Sequence, residues 1–349
     1  MLEAIASTTL LDDVFMEDET TNSLETLISS LTGHPAALLV LSGTMGNQIA
    51  LRTHLGGPPH TILTDNRSHI LEWEAGGAAS LCGALVKGVV PKNGHHLTLQ
   101  DVVKNAVLDD DVHSCPTRVI SLENTLSGTI MPLEECQKIA KWARAQDPPV
   151  LLHLDGARLW EAVAAGAGTL KEYCAAFDSV SLCFSKGLGA PIGSMIVGTP
   201  AFIKRARHIR KSIGGGLRQA GVVTAPARVA VEETFLGGKL TQSHKNARLI
   251  ASMWQKMGGK LAEPTETNMV WLDLEAADTT KEEFIAMALK HGIKTGGGRL
   301  VVHYQIGDEG INKLEGLMRE VLHMETGSEE GTIKGVERNV VERMKVNVE

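Results

Sequence analysis

Short apolar runs alternate with amphipathic stretches between residues 36 and 200, and this alternation restricts the fold more than any other feature of the chain. The runs fall at 36–41, 61–63, 85–90, 118–122, 150–154, 179–184 and 194–197. A strand, a helical crossover and a second strand return the chain in the same direction, so the pattern predicts an α/β fold with a mainly parallel sheet of about seven strands. One crossover helix is legible at 133–146, where Ile139, Ala140, Trp142 and Ala143 share a helical face between Pro132 and Pro148-Pro149. A second pattern follows Gly237-Gly238, with a helix expected at 249–257, a strand at 268–274 and a helix at 281–290. The expected organisation is a large domain over 1–237, a smaller α+β domain over 238–325 and a solvated tail or loose helix over 326–349.

Composition narrows the partners. Hydrophobic residues at 43% and charged residues at 21% exclude disorder as the main description. With 34 Lys+Arg against 41 Asp+Glu, a net charge of −7 gives no basis for gripping nucleic acid and suits small neutral or zwitterionic ligands. The five cysteines form no C-x-x-C pair, which predicts reduced thiols and a cytoplasmic location. Neither a signal-peptide start nor a window of ~20 apolar residues is present, so no membrane partner is expected.

Open α/β sheets place ligands beyond the carboxyl ends of their strands, and several strands here end in polar clusters. The first is followed by Ser42-Gly43-Thr44, opening a helical stretch. Its free backbone N–H groups suit a phosphate, although such a turn is also ordinary loop punctuation. The fifth ends in Asp155-Gly156-Ala157-Arg158, an acid and a guanidinium that also fit a structural ion pair. The sixth leads into Ser185-Lys186-Gly187, where a lysine is either solvated or desolvated enough to act as a nucleophile. Phosphate turn, acid and lysine in this order match the needs of pyridoxal 5′-phosphate (PLP): an amine for its aldehyde, a carboxylate for its ring nitrogen, a helix N-terminus for its phosphate. The glycine fingerprints of dinucleotide and nucleotide sites are absent.

Asp155-Gly156-Ala157-Arg158, Ser185-Lys186-Gly187-Leu188-Gly189-Ala190-Pro191 and Gly214-Gly215-Gly216-Leu217-Arg218-Gln219 resemble the low-specificity L-threonine aldolases. So do Ser121-Leu122-Glu123-Asn124-Thr125 and Gly297-Gly298-Arg299, and His303-Tyr304-Gln305 resembles the fungal forms. The resemblance implies PLP fold type I, an amino acid substrate, and a homodimer or homotetramer with shared active sites. It implies that Lys186 is the Schiff-base lysine and Asp155 the ring-nitrogen partner. Ser42, Gly43 and Thr44 match the phosphate turn, and Arg218, with Lys211, reaches the phosphate from a neighbouring subunit. Arg158 and Arg299 match positions for the cofactor oxygen and the substrate carboxylate. His69 matches the histidine stacked on the cofactor ring, where it is also a candidate base, with Trp73 and Glu74 beside it at helical spacing.

The chain departs from that family on the substrate side. Leu126-Ser127 stands where the aldolases carry a histidine, Phe15 stands for a tyrosine, and the chain starts at Met1-Leu2-Glu3, beyond the family's Arg-Ser-Asp-Thr segment. Cleavage of threonine or allo-threonine to glycine and acetaldehyde is the first expectation. Racemisation of an amino acid such as alanine, which needs no β-hydroxyl contact, is the second, and an inactive oligomeric binding protein the third. No metal site is expected: His95-His96 lies in a turn without a third ligand nearby in sequence. The basic stretch Arg205, Arg207, Arg210 and Lys211 is expected to be a solvated helix face, Lys211 excepted.

Overall fold

The structure, a computed structural model, describes residues 1–109 and 111–323. The seven apolar runs become β1 (Ala36–Val40), β2 (Thr61–Asp65), β3 (Leu85–Val89), β4 (Thr117–Glu123), β5 (Leu151–Asp155), β6 (Ser179–Cys183) and β7 (Ser194–Gly198). They form one sheet in the order β1-β7-β6-β5-β4-β2-β3. The central pairs β2–β3, β2–β4, β4–β5 and β5–β6 are parallel, whereas β7 runs antiparallel to both β6 and β1. The segment between β6 and β7 contains no helix. A parallel return needs a helical crossover, so this connection reverses the chain.

Helices cover both faces because the central strands are buried on both. β2, β6 and β7 are buried along their whole length. The crossover helix Leu133–Arg144 turns Cys136, Ile139, Ala140 and Ala143 inward, as its spacing predicts. The helix Gly43–His54 lies against β5, β6 and β7. Gly46 permits that approach, since a Cβ there would stand 2.5 Å from Ser181 Oγ.

A second core gathers Ala247, Ile250, Trp254, Val270, Leu272, Phe284 and Leu317. It packs under a three-stranded antiparallel sheet of β8 (Leu261–Glu263), β9 (Met269–Leu272) and β10 (Arg299–Val301). The helix expected at 249–257 runs over Lys239–Lys256. Its early turns escape an apolar pattern because they bury polar groups: His244 Nε2 meets Glu161 at 2.7 Å, and Asn246 donates to the Ile306 carbonyl. The expected tail over 326–349 lies outside the described residues.

The basic stretch differs from expectation. Arg210 is 4% exposed, donates to the Leu39 carbonyl and pairs with buried Asp13 at 2.8 Å; Arg207 pairs with Glu25. Half of the predicted face is therefore internal wiring that ties the helix Pro200–Ser212 to the N-terminal segment. A charged residue buries only when a partner compensates its lost hydration, and the acidic partners Asp13 and Glu25 lie more than 180 residues away in sequence. Among the described residues, no helix is long and apolar enough to cross a membrane.

Candidate active site

Parallel register aligns the carboxyl ends of β4 and β5, so Glu123 stands opposite Asp155, and Lys186 follows just beyond β6. A cleft of about 710 Å³ opens there, lined among others by His69, Glu123, Arg158, Lys186, Trp271 and Arg299. β10 and β9 of the smaller unit contribute Arg299 and Trp271, so the two cores meet at the cleft.

Asp155 is 3% exposed and held on both oxygens: Oδ1 accepts from the Ala157 N–H at 3.0 Å and Oδ2 from Asn47 Nδ2 at 2.7 Å. The same Nδ2 donates to Glu74 Oε1 at 2.8 Å. Glu74 is buried and also meets His69 Nδ1 at 2.9 Å and Gln48 Nε2. A carboxylate accepting from Nδ1 leaves the imidazole Nε2 with its lone pair free. Glu123 Oε2 accepts the backbone N–H of His69 at 2.8 Å. Burial and the neighbouring Asp155 charge push the Glu123 carboxyl up to about 8, against the pull of Lys186 and Arg158.

Arg158 is half-buried, and its Nε, shielded from solvent, has no partner. Desolvation and the nearby Arg299 charge lower its guanidinium below the ordinary value. Two guanidiniums placed close together, one with an unmet donor, have the chemistry to hold a carboxylate or phenolate. Arg299 also lies over the Trp271 ring, 5.7 Å from its centroid.

Ser42 caps the helix Gly43–His54 by accepting from the Met45 N–H at 3.1 Å. A Cβ at Gly43 would fall 2.7 Å from Cys183 Sγ, so only glycine brings this turn so close to β6. The donor set fits PLP: an amine, a buried carboxylate with lone pairs to spare, an orphaned guanidinium N–H and a helix N-terminus.

Other sequence candidates sit apart. Lys211 and Arg218 are exposed and do not line this chain's cleft; Arg218 pairs with Asp12 and lies over the Phe15 ring at 5.9 Å. Phe15 is 66% exposed, so it is not a wall of the cleft. Leu126 turns into the interior at 7% exposure, while Ser127 reaches the cleft with its carbonyl held by Trp271 Nε1 at 2.8 Å. His95 Nε2 meets Glu266 at 2.8 Å. The one His/Glu/Asp group close enough to hold a metal among the described residues is His69, Glu74 and Asp155, and Asn47 already bridges its two carboxylates by hydrogen bonds. Sequence reasoning assigned no role to Asn47, Glu123 or Trp271. Glu123 stood inside a noted motif and Asn47 just beyond one, in the helical stretch that Ser42-Gly43-Thr44 opens, whereas Trp271 carried no signal because its place depends on how two cores meet.

The fold and cleft define a fold-type-I PLP enzyme. The chain belongs to the beta-eliminating lyase family, whose model matches residues 1–277. Aldolase vrtJ of Penicillium aethiopicum is 59% identical over 92% of this chain and 82% of its own length. Alanine racemase TOXG of Cochliobolus carbonum is 44% identical over 92% and 84%, and the low-specificity L-threonine aldolase of Candida albicans 46% over 89% and 83%. In fold, the chain is similar to the threonine aldolase of Leishmania major, with a TM-score of 0.77 at 21% identity over 92% of this chain and 95% of that one. These similarities bear out the expected family and fold, and with them the expected cofactor.

Proposed function

We propose that the chain cleaves the Cα–Cβ bond of a β-hydroxy-α-amino acid, L-threonine or L-allo-threonine, to glycine and an aldehyde. The observation that carries this reading is the convergence of a cationic carboxylate site with a carboxylate-oriented histidine in one cleft. When bound, PLP supplies the sink for the electron pair left on Cα. Lys186 offers the amine that holds it, Asp155 the ring-nitrogen partner, and Ser42, Gly43 and Thr44 the phosphate turn. Arg158 and Arg299 bind the substrate carboxylate and the cofactor oxygen. His69, with Nδ1 directed to Glu74, takes the β-hydroxyl proton at Nε2 and would help hold the cofactor ring.

The active unit is a homo-oligomer in which Arg218 and Lys211 complete the neighbouring site. Their exposure outside this chain's own cleft supports that assignment, as does the apolar surface of Leu10, Leu11, Phe15 and Met16 beside Arg218.

One observation favours a second reading, amino acid racemisation. Leu126 is buried, so the segment where the aldolases carry a histidine presents only Ser127 to the cleft. The similarity to an alanine racemase agrees with this. The deciding experiment uses one PLP-loaded preparation: aldehyde release from L-threonine and L-allo-threonine, beside Cα proton exchange of L-alanine in D2O. Aldehyde release without alanine exchange supports the aldolase; exchange with racemisation and no aldehyde overturns it for the racemase.

A further inference from the structure

Beneath the cleft runs a buried hydrogen-bond chain that the reaction itself does not use. His153 and Ser179 are paired neighbours on β5 and β6, both 0% exposed. Asn47 and His54 lie two turns apart on the helix Gly43–His54, which crosses those strands. The contacts link end to end: His54 Nε2 to Ser179 Oγ at 2.6 Å, Ser179 Oγ to His153 Nδ1 at 2.8 Å, and His153 Nε2 to Asn47 Oδ1 at 3.1 Å. Asn47 Nδ2 then reaches Asp155 and Glu74.

Donor and acceptor chemistry fixes the direction of every link. An Asn47 amide turned the other way would aim its carbonyl at two carboxylates, so Nδ2 faces them and Oδ1 faces His153. Oδ1 only accepts, so His153 carries its proton on Nε2. Burial drives this imidazole down to about 3, leaving it neutral, and its bare Nδ1 accepts from the Ser179 hydroxyl. The Ser179 oxygen in turn accepts from His54 Nε2–H. Each donor therefore points toward Asp155.

We propose that His54, Ser179 and His153 are positioning residues that lock the Asn47 amide, and that this lock keeps Asp155 an acceptor for the cofactor ring while directing Glu74 at His69. The inference rests on the reading that Asp155 partners the ring nitrogen. Without the Ser179 hydroxyl, His153 keeps its Nε2 proton on Asn47 but loses the donor that fixes its Nδ1, so the ring is held at one nitrogen only. A ring that tilts from that line draws the Asn47 amide out of register and weakens the donor at each carboxylate.

Four chains test this: wild type, Ser179→Ala, the near-isosteric Asn47→Asp, and Ser179→Thr as the rescue. Selective 15N-histidine spectra of the PLP-free wild type should show His153 and His54 as Nε2–H tautomers. Equilibrium binding should show PLP affinity reduced about tenfold in Ser179→Ala and about a hundredfold in Asn47→Asp, within the span found when hydrogen-bond partners behind a ligand-holding group are removed. A shifted visible band should accompany the loss, and Ser179→Thr should recover affinity and band together. A merely structural role would lower the thermal midpoint of the PLP-free variants and leave the band alone. Wild-type affinity and spectrum in both disrupted variants, or an Nδ1–H tautomer on His153, would overturn the lock. A wild-type chain that takes up no PLP, or keeps its visible band after Lys186→Ala, would instead overturn the site assignment beneath it.

Discussion

The chemistry turns on which groups hold protons at two carboxyls. Glu74 accepts from His69, Asn47 and Gln48, and only an acceptor satisfies all three. Glu74→Gln keeps one oxygen for His69 and Asn47 but replaces the carboxylate charge behind the imidazole with a neutral amide, so Nε2 becomes a weaker base. Turnover should fall on the order of 10²-fold with a smaller change in KM, read by steady-state kinetics on PLP-saturated enzyme, because the group removed acts on proton transfer rather than on binding. Glu123 gives a second expectation, free of any assumption about substrate. Its folded value of about 8 lies above the ordinary 4.5, so the native PLP-free chain keeps a proton that the unfolded chain releases between those values. More protons on the native state mean that stability falls as pH rises through that window. Thermal melts of wild type and Glu123→Gln, both PLP-free, should separate progressively from 4.5 to about 8, the variant gaining, and then run parallel. Curves that stay parallel throughout would mean Glu123 is ionised at neutral pH.

At the scale of elements, the sheet was legible because most of its strands are buried on both faces, β2, β6 and β7 along their whole length, and stand out as apolar runs. The helix Leu133–Arg144 was legible because one face is apolar and prolines bracket it. The helix Lys239–Lys256 was half hidden, since its first turns bury histidine and asparagine on partners that local sequence does not name. The candidate site divides in the same way. Asp155, Lys186 and Arg158 follow strand ends and are found by position; Asn47 and Glu74 matter through contacts made across 108 and 27 residues. The helix Gly43–His54 carries both the turn at its start and Asn47 on its inner face, so its seating against β6 is a functional dimension. Gly46→Ala drives a methyl to within 2.5 Å of Ser181 Oγ, with Val40 close behind. Overpacking of this kind costs about 1–3 kcal/mol. Denaturant unfolding should show that loss, and Ser181→Gly in the same chain should recover much of it, because the hydroxyl in the way has no hydrogen-bond partner to lose.

At the scale of the whole molecule, one chain holds two kinds of cationic side chain. Arg158, Lys186 and Arg299 share a cleft; Arg218 and Lys211 stand exposed outside it, beside the apolar segment of Leu10, Leu11, Phe15 and Met16. Arg218 pairs with Asp12 and lies over an aromatic ring that is itself two-thirds exposed, so it is presented to the surface rather than buried as internal wiring like Arg210. If a twofold-related copy covers this surface, every active site draws Lys186 from one subunit and Arg218 from the other. Lys186→Ala and Arg218→Ala should then each be inactive or nearly so as purified homo-oligomers. Dissociated, mixed in equal amounts and reassembled, they should regain about a quarter of wild-type activity, because half the dimers are mixed and each mixed dimer has one site with both residues intact. PLP uptake should follow the same proportion, since the recovered site alone has both its amine and its phosphate contact. Recovery of nothing, with mixed dimers demonstrated by mass, would place Arg218 and Lys186 of one and the same chain in one site; full activity of Arg218→Ala by itself would remove Arg218 from the site, and the apolar surface beside it would then serve assembly without serving catalysis.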